Sequence, residues 1–247
     1  MKLVLDNVTV DYNGYTALRN VSLTLTGPGL YQVIGPNGAG KTTMLKVILG
    51  LVKPVKGRVL VDGVEVTSSP GRAGRFIGYV PQNPGAPQLS PMTVIEFIEA
   101  SLEMRGVRRP RTHAVKALNS VGVGREYYDY RLWELSGGIL QRVYIARALA
   151  PNPPILVMDE PLANIDPSGR LEIAQLISRI SKDKLVVTTS HDPNLLLSST
   201  KAIIIVNREV IAVGPPREVM RREVLARVYG GSVVEGIVLA GEGGAHG

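Results

Sequence analysis

The run Gly35-Pro36-Asn37-Gly38-Ala39-Gly40-Lys41-Thr42 fits the spacing G-x-x-x-x-G-K-[ST], and few folds can use such a run. Its glycines let backbone N–H groups curl around phosphate oxygens, and a helix N-terminus just beyond adds positive potential. Lys41 would reach the β- and γ-phosphates of a nucleotide, and Thr42, followed by Thr43, would offer a hydroxyl to Mg²⁺. The flanks suit this reading. Leu30–Ile34 reads as a buried strand, and Met44, Val47, Ile48 and Leu51 fall on one helical face. A strand–loop–helix unit of this kind belongs in a parallel sheet covered on both faces. The hydrophobic fraction of 45% is enough to cover one.

A second apolar run, Ile155-Leu156-Val157-Met158, ends in Asp159-Glu160. Acids at the carboxyl end of a buried strand sit where α/β sheets bind ligands. Asp159 would hold Mg²⁺ through water. Glu160 is placed to act as general base on an attacking water.

Strand and helix patterns alternate along the rest of the chain, as in an α/β domain. Leu3–Asp11 alternates apolar and polar residues. Gly57–Val66 carries a central Asp62-Gly63 turn signal, so a small antiparallel sheet is expected at the front. Pro81–Pro91 is proline-rich and reads as a loop. From Thr93 to Leu149 the pattern is helical, broken near Gly106–Pro110 and Gly122–Gly124. Asp166 caps a further helix with Pro167 at its first position and Ile173, Leu176, Ile177 and Ile180 on its apolar face. Leu185–Thr189 is a third buried strand, and Ala202–Val206 with Val210–Val213 forms a hairpin. The expected organisation is one domain over 1–230, with a helical subdomain inserted at about 90–150, and a short Gly-rich tail over 231–247.

Several classes are excluded. The chain has no cysteine, so disulfides, thiolate metal sites and cysteine nucleophiles are out. Its aliphatic runs are of strand length, far short of the roughly 20 residues of a membrane helix. Asp6 and Asn7 interrupt the first apolar run, which does not read as a signal peptide. The net charge of +7 is carried as a solvated surface. Its densest run, Arg108-Arg-Pro-Arg111, lacks the aromatic neighbours that stack on bases, so no nucleic acid partner is expected.

Leu135-Ser136-Gly137-Gly138-Ile139 opens a helix with Ser136 as N-cap and exposes several free N–H groups, a second anion site. With it, over roughly residues 1–225, the chain resembles the ABC ATPases, whose signature reads Leu-Ser-Gly-Gly-Gln; this chain departs at Ile139. Further stations follow in the family's order. Tyr12 resembles the aromatic residue that stacks on adenine. Tyr79-Val80-Pro81-Gln82 resembles the loop whose glutamine senses Mg²⁺ and contacts the membrane partner. Ala163–Asp166 resembles the loop that crosses to a second subunit, and Ser190-His191-Asp192 the switch whose histidine contacts the γ-phosphate.

The resemblance implies a P-loop NTPase core with a mainly parallel sheet, an N-terminal antiparallel β subdomain and an inserted helical subdomain. It implies ATP and Mg²⁺ as ligands, with Lys41, Gln82, Glu160 and His191 serving catalysis. It implies ATP sandwiched between the phosphate loop of one subunit and Ser136–Gly138 of a second copy or a paralogue, with the signature glutamine, where Ile139 stands here, reaching the ribose. The expected partner is a transmembrane permease, which would hold the chain at the cytoplasmic face of the membrane. Ile77–Gln82 and the ending Pro216-Arg-Glu-Val-Met…Val-Tyr-Gly230 are similar to importers of metal ions or chelates. Three other readings stay open: an exporter ATPase, a soluble ATPase acting on ribosomes or DNA, and a nucleotide-bound regulatory module. No second such domain, long coiled coil or cysteine zinc module is present to favour the soluble ATPase. The intact Lys41, Asp159, Glu160 and His191 oppose the regulatory module.

Overall fold

The computed structural model describes residues 1–82, 91–190 and 192–230, with the backbone of two short paired strands, Val233–Val234 and Ile237–Val238. His191, residues 83–90 of the expected loop and the Gly-rich end Gly241–Gly247 lie outside the described residues.

The chain begins as a hairpin of β1 (Lys2–Tyr12) and β2 (Tyr15–Thr26). Its two-residue turn places Asn13 and Gly14 at φ 52° and 88°, the left-handed pair that a tight hairpin requires. β3 (Gly29–Ile34) then leads through the glycine-rich loop into α1 (Lys41–Ile48). β4 (Lys56–Val61) and β5 (Val64–Glu65) turn at Asp62-Gly63 and complete an antiparallel sheet in the order β2-β1-β4-β5. This is the small front sheet expected from the alternation.

After α2 (Pro70–Ala73) and β6 (Ile77–Val80) come α3 (Val94–Glu103), α4 (Pro110–Ser120) and α5 (Gly137–Leu149). The helical stretch breaks where its glycines stand, with Gly106 and Gly122 at φ 68° and 77°. Thr93 closes a capping box with Glu96 at the start of α3, which fixes where that helix begins. β7 (Ile155–Met158), α6 (Pro167–Ile180), β8 (Leu185–Thr189), β9 (Thr200–Asn207), β10 (Glu209–Gly214), α7 (Pro216–Val219) and α8 (Arg222–Tyr229) follow.

The central sheet has the order β10-β9-β3-β8-β7-β6. Its pairs are parallel except β9 with β10. Both faces are covered, as a parallel sheet requires. Along β7, Ile155 and Val157 join the core under α1 and the front sheet. Leu156 and Met158 face the other way, into the core with α3, α5 and α6. The period of two in a fully apolar strand thus serves two cores.

One expectation fails. Leu51 is not part of the apolar face of α1: the helix stops at Ile48, the chain turns at Gly50 (φ 68°), and Leu51 is 55% exposed.

The register places the functional segments together. Val33 pairs with Thr189, Met158 with Thr188, and Val80 with Met158. The chain leaves β3, β6, β7 and β8 at one carboxyl edge, toward Gly35, Gln82, Asp159 and Ser190 respectively.

Candidate nucleotide site

A cleft of about 370 Å³ lies at this edge, bordered by Tyr12 and Tyr15, by Asn37–Thr43 of the loop, and by Gln82 and Glu160. Gly38 and Gly40 take φ 75° and 97°. A Cβ on Gly40 would also lie 2.8 Å from the Leu18 side chain, so this position needs glycine for both space and conformation. No side chain caps the start of α1, so its first amides are left to a ligand.

Lys41 is buried, and its Nζ donates to the carbonyls of Gly35 at 2.7 Å and Pro36 at 3.1 Å. Burial lowers its pKa, against the pull of the Glu160 and Asp159 carboxylates, which raise it. A lysine held this way is a cation poised for a ligand carrying more negative charge than two carbonyl dipoles.

Asp159 is buried at the end of β7. Its Oδ1 accepts from the Thr189 hydroxyl at 2.5 Å and lies 3.5 Å from the Thr42 hydroxyl. Tyr79 has its pKa raised by its own burial and, to a lesser extent, by the Asp159 charge. Glu160 stands at φ 47°, a left-handed conformation that costs a non-glycine residue about 1 kcal/mol or more. Thr189 and Gln82 help hold it there. Its backbone N–H donates to the Thr189 hydroxyl at 2.8 Å, and its carboxylate accepts from the Gln82 amide at 2.7 Å.

The remaining expected residues fall into two groups. Tyr12 borders the cleft at 45% exposure. Ser136, Gly137, Gly138 and Asp166 do not border it. Ser136 caps α5 by accepting from the Ile139 N–H at 3.4 Å. Asp166 caps α6, accepting from the Gly169 N–H at 3.0 Å and from the Ser168 hydroxyl. Those hydrogen bonds, Ser168 first, hold its pKa below the usual carboxylate value. The two caps are neighbours, since a Cβ on Gly137 would lie 3.4 Å from the Asn164 carbonyl oxygen. The helix start at Ser136 and the Asp166 cap thus lie together, outside the lining of the cleft.

Three residues of the site escape sequence reasoning. Thr189 links the two acids, and its signal was a pair of threonines ending an otherwise aliphatic strand. Tyr15 faces Tyr12 across the hairpin turn. Arg208 comes from the distant β9–β10 turn, and nothing in the sequence connects it to the cleft.

Residues 18–163 match the model of the family described as ABC transporter. The chain is 34% identical over 230 residues to the zinc import ATP-binding protein ZnuC of Buchnera aphidicola subsp. Schizaphis graminum, covering 92% of this chain and 90% of that protein. It is 37% identical over 228 residues to a putative ABC transporter ATP-binding protein of Pyrococcus furiosus, covering 91% and 84%. Among solved structures it resembles the ADP conformation of the ATP-binding cassette MJ1267, with TM-score 0.81 and 27% identity over 91% of this chain and 97% of that one. It also resembles the dimeric post-hydrolysis state of the ATP-binding cassette MJ0796 bound to ADP and Pi, with TM-score 0.75 and 31% identity over 86% and 98%.

Proposed function

This chain belongs to the ABC transporter family as an ATP-hydrolysing subunit, and on that premise we propose that it powers import of a metal ion or metal chelate through a separate membrane-spanning permease. The observation that carries the catalytic half is that Lys41, Thr42, Gln82 and Glu160 border one cleft, with the buried Asp159 carboxylate 3.5 Å from the Thr42 hydroxyl. The metal half is supported by relatives named as zinc import ATP-binding proteins, 34% and 35% identical over 92% of the chain.

ATP binds with its phosphates on the backbone of Gly35–Thr42 and its base beside Tyr12. Lys41 then exchanges two carbonyls for phosphate oxygens. Mg²⁺ keeps several waters and takes one or two protein ligands together with substrate phosphates. The Thr42 hydroxyl and the single buried carboxylate of Asp159 fit that demand, with Gln82 near. Among the described residues no group of three His, Cys, Asp or Glu converges into a closed cage. When bound, the ion neutralises developing phosphate charge. Glu160 takes the proton of the attacking water, and Gln82 and Thr189 hold Glu160 in place.

Because Ser136–Gly138 lie away from the cleft, we assign them to the nucleotide of a second copy. The MJ0796 cassette, a dimer bound to ADP and Pi, is a precedent for two cassettes pairing. Two half-sites sharing one polyanion make ATP bind the closed pair more tightly than the single chain, so its hydrolysis opens the pair. His191 is assigned to the γ-phosphate on the family resemblance.

No helix among the described residues is long and apolar enough to cross a membrane. We assign permease contact to a cleft of about 340 Å³ bordered by Leu51, Tyr79, Met104 and Arg105. Leu51 and Met104 are 55% and 84% exposed there. The native chain lacks cysteine, so Met104→Cys is a unique cross-linking handle. The test is ATP-dependent zinc uptake into vesicles holding this chain with a membrane-spanning permease that co-purifies with it. Uptake that disappears with Glu160→Gln is expected. Vigorous ATP hydrolysis without metal uptake would remove the cargo assignment.

A further inference from the structure

We propose that the nucleotide base is gripped by two aromatic rings, Tyr12 and Tyr15, and that Arg208 is a positioning residue holding the second. The proposal rests on the ATP-binding reading of this cleft and adds two residues to it.

Tyr12 and Tyr15 are cross-strand partners at the tip of the β1–β2 hairpin. Directly opposed residues of an antiparallel pair project to the same face. Both border the cleft, and both are left nearly half exposed, at 45% and 47%. Neither ring is packed into the core clusters. Large aromatic side chains left open beside a phosphate-binding loop are suited to a planar, apolar ligand group.

Tyr15 is nevertheless fixed. Its hydroxyl reaches the Gly38 carbonyl oxygen at 3.5 Å, and the Arg208 guanidinium carbon lies 4.8 Å from its ring centroid. That is a cation–π distance. Arg208 is itself anchored by its backbone. It sits at φ 60° in the β9–β10 turn, its N–H donates to the Ala39 carbonyl at 2.8 Å, and its carbonyl accepts from the Arg19 N–H at 2.7 Å. One turn residue therefore ties the phosphate loop to β2 and lays a flat cation over Tyr15. A ring backed by guanidinium leaves a face or edge for the base, and its position is set before nucleotide arrives.

Stacking on rings does not read the hydrogen-bonding edge of a base. The grip should therefore serve adenine and guanine about equally. It should also leave a ligand with phosphates alone untouched.

The test is equilibrium binding of ATP, GTP and inorganic tripolyphosphate to full-length Tyr15→Ala, Arg208→Ala and their double variant. Tyr15→Ala should weaken ATP and GTP about tenfold, the size of one base–aromatic stack, and leave tripolyphosphate unchanged. Arg208→Ala should weaken both nucleotides a few-fold, raising KM with little change in kcat. Its effect should vanish in the Tyr15→Ala background, because a residue that acts through Tyr15 has nothing left to position. Tyr15→Phe, which keeps the ring, should bind nearly as well as the native chain. Unchanged ATP affinity in Tyr15→Ala would overturn the proposal. So would an equal loss for tripolyphosphate, since Tyr15 would then act through Gly38 and the phosphate loop. Lys41→Ala separates this from the parent reading: it should weaken ATP and tripolyphosphate alike. If it spares both, the phosphate site is misplaced and the base grip falls with it.

Discussion

Gln82 and Glu160 stand 78 residues apart in the chain, yet the Gln82 amide donates to the Glu160 carboxylate at 2.7 Å. Gln82 leaves β6 just after Tyr79, which borders the cleft assigned to the permease. A displacement of that segment is thus three residues from the amide that holds the proposed general base. Hydrogen bonds to charged groups contribute about 1.5–3 kcal/mol, and Gln82 is solvent-exposed, which favours the lower end. Gln82→Ala should therefore lower kcat about tenfold and shift ATP affinity less. Steady-state hydrolysis over a range of ATP concentrations measures both. An unaltered kcat would show that the amide does not hold the base.

Thr189 makes a sharper prediction, because it is fully buried and serves both acids. It donates to Asp159 and accepts from the Glu160 N–H. Valine keeps the shape and removes both functions. Losing these two hydrogen bonds, one to the buried Asp159 carboxylate and one from the part-buried Glu160 N–H, should cost about 1–3 kcal/mol in denaturant unfolding. It should also lower kcat, because Glu160 loses a contact that holds its left-handed backbone. Native-like hydrolysis in Thr189→Val would mean that Thr189 is not needed to hold Glu160.

The Lys41 ammonium carries a pH signature. Burial lowers its pKa in the free protein, and bound phosphates, being anionic, would raise it again. Between the lowered value and 10.5 the free chain holds Lys41 partly neutral, so ATP binding should take up a proton. Calorimetry in two buffers of different ionisation enthalpy reads that uptake. Well below the lowered value this group should contribute none. The stability linkage has the matching sign. In the same alkaline window the unfolded chain binds more protons at this lysine than the native one, so its contribution to stability rises with pH. Proton release on binding in this window would contradict the assignment of Lys41 to the phosphates.

Glu160→Gln should bind ATP and hydrolyse it orders of magnitude more slowly, since an amide positions water but cannot take its proton. With nucleotide retained, two copies should stay closed, giving an ATP-dependent dimer in gel filtration. A chain that remains monomeric at saturating ATP and Mg²⁺ would count against the shared site.

What was legible in the sequence follows from how local each signal is. The phosphate loop, the acidic strand end and both helix caps depend on neighbours a few residues away, and each lies where its pattern put it. The Asp62-Gly63 turn fixed the front hairpin in the same way. Leu51 was misread because helical periodicity continues through Gly50, while the backbone does not. Thr189 and Arg208 were out of reach for a different reason. Their roles depend on sheet register and on a contact between the β9–β10 turn and Ala39, and no local pattern encodes either. The separation of Ser136 from the cleft is likewise visible only once α5 is placed on the far side of β7.

Ile139 is the point where this chain departs from the family signature. It follows Gly138 in the first turn of α5, and its N–H donates to the capping Ser136 hydroxyl. That bond belongs to the backbone, so it survives any side chain there. The Ile139 side chain is half-buried, but it is absent from the apolar groups packed on the helical core, whereas its neighbour Leu140 is among them. A side chain that supports no core can be changed with little loss of stability. The signature glutamine would reach the ribose of ATP held by the opposing copy, and isoleucine cannot. The phosphate contacts of Ser136 and the helix amides remain, so closure weakens without failing. One neutral hydrogen bond contributes about 0.5–1.5 kcal/mol. Ile139→Gln, placed in the Glu160→Gln background, should therefore tighten ATP-driven dimerisation several-fold, or about 1 kcal/mol. The gain should shrink with 2′-deoxy-ATP, which lacks one of the two ribose hydroxyls. Sedimentation equilibrium with each nucleotide gives the two constants, and thermal unfolding of the monomer gives the control. Equal dimerisation with and without the glutamine would show that Ile139 is silent toward the ribose, and a drop in monomer stability would show that it packs instead.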